Sequence, residues 1–459
     1  MNYLKKSLVI LFFQFILFSY GQSKEININT FKVYGNDKAD VTGNFDKAIE
    51  YISTNGGTLY IPKGNYYLDN KNRIRKGINN NSYIFLVKNN FKIKLNKEAV
   101  LYYRNNFKGF RFRSTQDPND KTINNFEVEI EGGTIDCSAN YTVKTKGNPD
   151  IWAFVGETLK RFKATNMVVR NLYGTAAIGA GFNDVNLISD NRFENVTGNP
   201  LDYIDNHGNG IYIANSKSYE VKNNKVINNL NITKRLGTVG ICIEGEGIGD
   251  GVISGNEVTG YDRGIHVEHT EGTSTIINNH LIGNSSGVVL WDNNGYKQIV
   301  ESNIISNKGL SKNNKPILYT SAPLLILGYN TNEGTIIKGN TITLEKDFFI
   351  PNELLQVTSN NVAISNNTFY DETGTLSLSI AQGRGQKQKV RNISFFSNKV
   401  KGAKLYVYDA SDVNVSDNQF DVDEAVFSFD NSNNVYKNNS FPVRRSANKI
   451  QLFGKYMIR

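Results

Sequence analysis

The chain has 459 residues, of which 52 are Lys or Arg and 43 are Asp or Glu, so its formal net charge is +9 at neutral pH. The basic residues are scattered and accompany no nucleic-acid-binding motif. The charge therefore favours an acidic partner, such as a uronic or sulfated glycan, and the lack of a motif argues against nucleic acid. The two cysteines, Cys137 and Cys242, lie far apart in sequence, which argues against a disulfide framework.

The first residues have the pattern of a secretory signal. A basic start precedes the apolar run 8–18, which is too short to span a bilayer, and small residues follow up to Gly21. We therefore predict a signal peptide over residues 1–21 and a secreted mature protein, extracellular or periplasmic, of residues 22–459. We expect this mature chain to form one domain, with no stable membrane insertion after the signal is cleaved.

An apolar stripe at helical spacing follows the signal. Its members are Phe45, Ala48, Ile49 and Ile52. The stripe predicts a short amphipathic helix, and such a helix can cover the open end of a stack of strands.

The passage around this helix resembles the opening of a known family. Tyr34-Gly35, Ala48-Ile49 and the phrase from Gly56 to Tyr66 are similar to the first segment of the pectate-lyase superfamily, in its rhamnogalacturonase and mannuronan-epimerase-like branch. The resemblance implies an all-β fold, a single-stranded right-handed parallel β-helix with a short N-terminal capping helix. The catalytic phrases of polygalacturonase-like and epimerase-like members are not matched, apart from a faint echo at His207-Gly208.

Three polar stretches are predicted to be insertions between coils of this β-helix. Residues 69–82 and 104–124 are rich in basic side chains, and residues 138–160 contain Trp152 and Phe154. Loops on one flank of a solenoid commonly wall its groove, so these insertions are expected to lie beside a binding surface.

A phrase that begins with Gly recurs four times between residues 210 and 295, and its alternation predicts one strand per phrase. The inward positions are apolar: Ile211, Ile213, Ile241, Ile243, Ile265, Val267, Val288 and Leu290. The outward positions are mixed: Tyr212, Cys242, Glu244, His266, Glu268, Val289 and Trp291. A second repeat with a central Asn lies between the phrases. Two strands per period, with an Asn between them, describe one coil of a parallel β-solenoid.

The Asn recurs at one corner of every predicted coil. Because Asn tolerates the left-handed backbone region and its amide can bond to an identical amide above it, these residues are expected to form an internal ladder. The predicted ladder is Asn191, Asn224, Asn256, Asn279, Asn303, Asn340, Asn367, Asn398, Asn418 and Asn439. We assign residues 30–68 to the N-terminal cap and first coils, and residues 440–459 to the C-terminal cap.

Equal positions in the four phrases should become neighbours on the outer surface, because strands one coil apart stack at about 4.8 Å. The central predicted row is Ala214, Glu244, Glu268 and Trp291. The row before it is Tyr212, Cys242, His266 and Val289, and the row after it is Asn215, Gly245, His269 and Asp292.

Paired carboxylates in this patch predict glycoside hydrolysis. Two stacked carboxylates repel, so that one retains a proton as the acid while the other acts as base or nucleophile. Glu244 and Glu268 suit the separation of about 5 to 5.5 Å used for retention, and Glu244 with Asp292 suits the wider inverting separation of about 6.5 to 9.5 Å. We expect Glu244, Glu268, His266 and His269 to be catalytic.

Other residues of the patch are expected to bind an acidic sugar. Aromatic faces suit sugar rings, and basic side chains suit anionic groups on the sugar. The predicted substrate-binding residues are Tyr212, Trp291, Arg263, Lys234, Arg235, Asp292 and His207.

The leading prediction is thus a secreted, polysaccharide-degrading hydrolase that acts on an acidic glycan and requires no cofactor. One alternative is a polysaccharide lyase, in which His266 or His269 removes a proton and Arg263 or Ca²⁺ neutralises a uronate. Carboxylates available to Ca²⁺ are Glu244, Glu246, Glu268 and Asp292, whereas the histidines show no zinc spacing. A second alternative is a glycan-binding β-helix without activity, in which the carboxylates are ordinary solvated surface.

Overall fold

The computed structural model shows a stack of parallel strands that wind through three sheets. It describes residues 24–36, 38–73, 84–140, 151–198, 208–229, 237–292, 297–316, 321–328, 334–382, 389–422, 426–429, 433–440 and 451–453. The chain passes from a strand of sheet A to one of sheet B and then one of sheet C, and it repeats this path along the molecule. A coil therefore contains three strands, and the two predicted per period were too few.

The strands are numbered β1 to β42 in chain order. Sheet A contains β1 (Glu25–Asn27), β2 (Gly57–Ile61), β5 (Phe91–Leu95), β8 (Asn124–Glu131), β11 (Leu159–Thr165), β14 (Val185–Ser189), β17 (Ser218–Lys222), β20 (Gly251–Ser254), β23 (Ser274–Ile277), β26 (Gln298–Glu301), β29 (Thr335–Lys338), β32 (Val362–Ser365), β35 (Val390–Phe396), β38 (Ala410–Ser416) and β41 (Val435–Lys437). Sheet B contains β3 (Gly64–Asp69), β6 (Ala99–Arg104), β9 (Thr134–Asp136), β12 (Val168–Arg170), β15 (Arg192–Glu194), β18 (Lys225–Ile227), β21 (Glu257–Thr259), β24 (His280–Ile282), β27 (Ile304–Ser306), β30 (Thr341–Leu344), β33 (Thr368–Asp371), β36 (Lys399–Lys401) and β39 (Gln419–Asp421). Sheet C contains β4 (Ile84–Leu86), β7 (Phe110–Arg113), β10 (Trp152–Glu157), β13 (Ala176–Gly181), β16 (Asn209–Ala214), β19 (Gly237–Glu244), β22 (Tyr261–Glu268), β25 (Ser286–Trp291), β28 (Leu324–Leu327), β31 (Leu355–Val357), β34 (Ser377–Ala381), β37 (Lys404–Tyr408), β40 (Val426–Phe429) and β42 (Gln451–Phe453).

The predicted capping helix is present as α1 (Thr42–Asn55), and short 3-10 turns occur at Ile28–Phe31, Asn70–Asn72 and Ser138–Asn140. The whole predicted stripe of α1 is buried, namely Phe45, Ala48, Ile49 and Ile52. Phe45 stacks on Phe110 of β7 with ring centroids 5.3 Å apart. The helix therefore shields core side chains of the first coils from solvent, as the stripe predicted.

Stacked aliphatic rows fill the interior. In sheet C the register aligns Ile211, Ile241, Ile265, Val288, Leu324, Leu355, Leu378 and Leu405, and all of them are fully buried. Each such side chain contributes about 1.5–3 kcal/mol by leaving water. The predicted inward set is confirmed, but the alternation breaks at the phrase glycine. A Cβ on Gly240 would lie 2.2 Å from the core Cγ1 of Val258, so Gly240 faces inward like Ile241.

The Asn ladder is present over its whole predicted length. Each amide nitrogen donates to the Oδ1 of the next ladder residue at 2.9 to 3.1 Å, from Asn191 through to Asn439. The left-handed conformation belongs to the preceding residue, such as Asp190 or Asn223, and not to the ladder Asn itself. Backbone turn and amide stack are therefore carried by two neighbouring residues, which frees the Asn side chain to point inward.

Two of the predicted insertions contain strands of sheet C. Strand β7 lies within residues 104–124 and β10 lies within residues 138–160. Phe110, Phe112 and Phe154 enter the core, while Arg111 pairs in register with Val155. Sheet C therefore begins well before the four phrases, and this extends its outer face.

Several predicted segments lie outside the described residues. They include the signal over residues 1–21 and most of the C-terminal cap at 440–459, where β42 pairs in parallel with β40. No helix in the described part of the chain is long and apolar enough to cross a membrane.

Candidate functional site

The outer face of sheet C presents two in-register rows of side chains. The carboxylate row is Arg113, Glu157, Gly181, Ala214, Glu244, Glu268, Trp291 and Leu327. The histidine row is Arg111, Val155, Gly179, Tyr212, Cys242, His266, Val289 and Leu325. The predicted neighbours in both rows are therefore confirmed, and each row extends further toward the N-terminus than predicted.

Glu268 lies between two histidines. Its Oε2 is 3.0 Å from His266 Nε2, and its Oε1 is 3.2 Å from His269 Nε2. His269 is 44% exposed, whereas His266 is only 1% exposed. Both carboxylate oxygens thus face an imidazole, one buried and one open to solvent.

Arg263 determines which nitrogen of His266 carries the proton. Its Nη1 is 2.7 Å from His266 Nδ1, and a guanidinium can only donate hydrogen bonds. The imidazole must therefore accept at Nδ1 and carry its hydrogen at Nε2, the atom nearest Glu268. Arg263, His266 and Glu268 thus form a chain of contacts, called here the Arg263–His266–Glu268 relay. The relay depends on the break in alternation at Gly264, because residues three apart in a regular strand would lie on opposite faces.

The burial of Arg263 corrects its predicted role. The guanidinium is buried, and its Nε lies 4.0 Å from Oδ2 of the equally buried Asp262. Arg263 was expected at the mouth of the strand, where it would hold an anionic sugar. It instead lies beneath the outer surface and positions His266, which is itself buried although its strand position predicted exposure.

Glu244 has a different environment from Glu268. It is half-buried, and the thiol of Cys242 donates toward its Oε2 at 3.7 Å. The register places Glu244 directly beside Glu268 on the next coil. The two carboxylates are therefore neighbours as predicted, and the contacts described for them differ: the Cys242 thiol lies beside Glu244, and two imidazoles lie beside Glu268.

Trp291 and Asp292 mark the C-terminal edge of the site. The His266 ring and the Trp291 ring are nearly parallel, with centroids 6.4 Å apart. Asp292 leans toward the following coil, where a Cβ on Gly328 would lie 2.4 Å from its Oδ1. Beyond this edge the face becomes apolar: Val289, Ala322 and Leu325 are fully buried in a small cluster with Leu327.

The N-terminal end of the face holds charged residues that the sequence analysis did not assign to the site. Arg113 Nη1 lies 3.5 Å and Arg111 Nε lies 4.0 Å from the carboxylate of Glu157. Trp152, on the same strand as Glu157, reaches the Tyr212 ring at 6.1 Å between centroids. The alternation of Phe and Arg in β7 was the signal that predicts these outward positions.

Metal binding has little support in the described geometry. Within the described ranges, no three or more His, Cys, Asp or Glu side chains are grouped as metal ligands would be. The oxygens of Glu268 face two histidines and Glu244 Oε2 faces Cys242, so these side chains do not converge as a Ca²⁺ cage requires. The predicted site residues His207, Lys234 and Arg235 lie outside the described residues.

No family model matches the chain, and no curated protein matches it. Among solved structures, a tailspike protein mutant of E. coli bacteriophage HK620 in complex with a hexasaccharide is 14% identical over 89% of this chain and 78% of its own, with a TM-score of 0.57. The family 28 exopolygalacturonase of Yersinia enterocolitica is 13% identical over 90% and 78%, with a TM-score of 0.55. These neighbours are right-handed parallel β-helix proteins, so the fold that the sequence resemblance implied is confirmed. At such low identity the likeness concerns the fold alone.

Proposed function

We propose that the protein is a secreted glycoside hydrolase that cleaves an acidic polysaccharide on the outer face of sheet C. The observation that supports this most is the pair Glu244 and Glu268 on adjacent coils, with only Glu268 held between two imidazoles. The similar folds of an exopolygalacturonase and an oligosaccharide-bound tailspike agree with a carbohydrate substrate.

The two environments assign the two roles. Imidazole nitrogens lie 3.0 and 3.2 Å from the two oxygens of Glu268, and such polar neighbours favour the charged form of a carboxylate, so Glu268 is suited to act as base or nucleophile. Glu244 lies in register beside Glu268, and a charged carboxylate favours the protonated form of a neighbouring carboxyl group, so Glu244 is suited to hold the proton that the leaving oxygen takes. A strand spacing of about 4.8 Å suits the retaining mechanism, in which the carboxyl groups are about 5 to 5.5 Å apart.

The test is a digestion of polygalacturonate, alginate and sulfated glycans by the wild type and by single variants Glu244→Gln and Glu268→Gln. New reducing ends should appear with the wild type and disappear with both variants, while the melting temperature stays nearly unchanged. Glu257→Gln is the control, because Glu257 is an exposed carboxylate on sheet B, paired with Lys225. Full activity in both site variants would refute the assignment.

A polysaccharide lyase is the second candidate, and the exposed imidazole of His269 favours it. His269 is open to solvent with its Nε2 next to Glu268, as a proton-abstracting base would need to be. Arg263 is too deeply buried to neutralise a uronate directly. A lyase leaves an unsaturated sugar that absorbs ultraviolet light, so the same digestion separates the two reactions. Saturable binding without either product would favour the non-catalytic glycan-binding alternative.

A further inference from the structure

The outer face of sheet C has a shallow floor between its two groups of carboxylates. In the carboxylate row, Gly181 and Ala214 separate Glu157 from Glu244. Gly179 occupies the neighbouring position of the histidine row. These small residues leave the face low over two consecutive coils, between the charged group at the N-terminal end and the site around Glu268.

Two aromatic rings lie on this floor. The indole of Trp152 crosses Gly179, where a Cβ would come 2.4 Å from the indole Cζ3. Glycine at 179 is thus required for the ring to lie flat against the strand. The Tyr212 ring follows at 6.1 Å between centroids and at 58° to the indole. Both side chains are half-buried, so each keeps part of its surface open to solvent.

A cation stands at the N-terminal end of the two rings. The Arg111 guanidinium carbon lies 5.9 Å from the centre of the Trp152 ring, and its side chain is 23% exposed. Its contact with Glu157 is long, at 4.0 Å, so this carboxylate does not form a close bidentate pair with the guanidinium. Arg113 differs, because it is 4% exposed and donates to Thr115 Oγ1 and to the carbonyl of Pro118.

We propose that Trp152, Tyr212 and Arg111 form a binding subsite for an acidic sugar of the polysaccharide chain. Flat apolar ring faces contact the sugar ring, and Arg111 binds its carboxylate or sulfate group. The glycan then lies along the helix axis, from Glu244 across Ala214 and Gly181 toward Arg111. The direction of the chain relative to the cleavage point rests on the proposed hydrolase function, whereas the binding of an acidic glycan does not.

The experiment measures binding apart from catalysis. Affinity electrophoresis of the full chain in gels containing polygalacturonate, alginate or chondroitin sulfate gives the dissociation constant, with dextran as a neutral probe. Trp152→Ala and Arg111→Gln should each weaken binding to at least one acidic probe about tenfold, as loss of a stacked ring or a charge-assisted hydrogen bond does. Trp152→Phe keeps a flat ring and should restore most of the affinity.

The chain supplies a matched control on another sheet. On sheet B, the Lys401 ammonium lies 5.2 Å from the centre of the Tyr370 ring, in a groove of about 450 Å³. Tyr370→Ala and Lys401→Gln remove the same two kinds of group and should leave binding unchanged. Comparing the affinity loss of Arg111→Gln on a glycan with only uronate groups and on one with only sulfate groups shows whether Arg111 binds a carboxylate or a sulfate.

The outcomes separate the subsite from the proposed reaction. If Glu268→Gln abolishes cleavage but the Trp152→Ala variant binds acidic glycan as tightly as the wild type, the proposed subsite is refuted and the proposed hydrolase function is supported. If no glycan is cleaved but the Trp152→Ala and Arg111→Gln variants lose affinity for acidic glycan, the subsite is supported and the proposed hydrolase function is refuted. Failure of the wild type to bind any acidic probe, or equal losses in the sheet B controls, would overturn the subsite. Circular dichroism and melting temperatures must show that each variant is folded.

Discussion

Glu157 and Glu268 lie in the same row of sheet C, four coils apart, and face opposite kinds of partner. Glu157 is next to two arginines, Arg111 and Arg113, and Glu268 is next to two histidines, His266 and His269. A guanidinium can only donate hydrogen bonds, whereas a neutral imidazole has one nitrogen that donates and one that accepts. The same type of side chain on the same face therefore belongs to an arginine ion pair at one end and to the Arg263–His266–Glu268 relay of contacts at the other.

The comparison teaches that position on the solenoid does not identify a catalytic carboxylate. Row and strand spacing are the same at both ends, and the partner decides what the group can do. The relay around Glu268 is further ordered by Arg263, whose hydrogen bond leaves His266 with its hydrogen on Nε2. The ion pair around Glu157 is held in place because Arg113 also donates to the backbone carbonyls of Pro118 and Asp120. The ion-pair partners described for Glu157 are both arginines.

The largest expected effect separates these two glutamates by activity. Glu268→Gln should lower product formation roughly 10²- to 10⁴-fold, as loss of a general base or nucleophile does. Glu157→Gln should lower it less than tenfold, because Glu157 belongs to the arginine pair and not to the relay. Reducing-end assays at saturating glycan measure both. A loss in Glu157→Gln as large as that in Glu268→Gln would break the comparison.

The next largest effect on activity is expected from Arg263, which donates a hydrogen bond to His266 in the relay. Arg263→Met removes the donor to His266 Nδ1, while Arg263→Gln removes the same charge but keeps an amide donor. Activity should fall about tenfold in the Met variant and less in the Gln variant, in keeping with one hydrogen bond to a charged group. The pH profile should also change in both variants, because each removes the positive charge beside the His266 imidazole. Equal losses and unchanged profiles in both variants would leave Arg263 a purely structural residue.

The sequence predicted the central rows because the phrases carry their own register. Each begins with Gly, so aligning the glycines places Glu244 beside Glu268 and Cys242 beside His266, as the structure confirms. The ladder from Asn191 to Asn439 was equally predictable, because a buried amide stack requires the same residue at every coil. The sequence repeat thus predicts which residues are neighbours on adjacent coils, which the pattern of a single strand cannot do.

The remaining features depend on contacts that no repeat encodes. Strand β7 was missed because its charged outward residues, Arg111 and Arg113, made the stretch resemble a loop, and β10 was missed because it lies in the second half of a stretch predicted to be one polar insertion. The burial of Arg263 was missed because strand periodicity gives only the face of a side chain: the break at Gly264 places Arg263 on the same face as His266, and both are nevertheless buried. The contacts of Glu268 with His266 and His269 depend on side-chain rotamers, which strand periodicity does not determine.

A smaller effect is expected on the stability of the protein when the ion pair between Glu157 and the two arginines is broken. Glu157→Gln removes the carboxylate beside Arg113, whose guanidinium stays buried with its backbone acceptors. The free energy of unfolding should fall by about 1–2 kcal/mol, since the pair is partly exposed and its contacts are long. Urea denaturation measures this loss, and Glu268→Gln is the comparison, with little expected change. A larger loss of stability in Glu268→Gln would reverse the proposed division between structural and reactive carboxylates.

The smallest effect comes from Glu353, a half-buried carboxyl group that precedes β31 of sheet C and hydrogen-bonds to the hydroxyl group of Ser379. Burial raises the pKa of Glu353, and its hydrogen bond with Ser379 opposes this only in part. Because the folded state then binds the proton more tightly than the unfolded chain, stability is greatest in acid. It declines as the pH rises from the ordinary carboxyl value of about 4.3 through the raised value. Glu353→Gln removes the titration, so its melting temperature should match that of the wild type near pH 4 and exceed it slightly at pH 8. A difference that does not change with pH would show that Glu353 binds its proton equally well in the folded and unfolded chain, which would contradict the raised pKa.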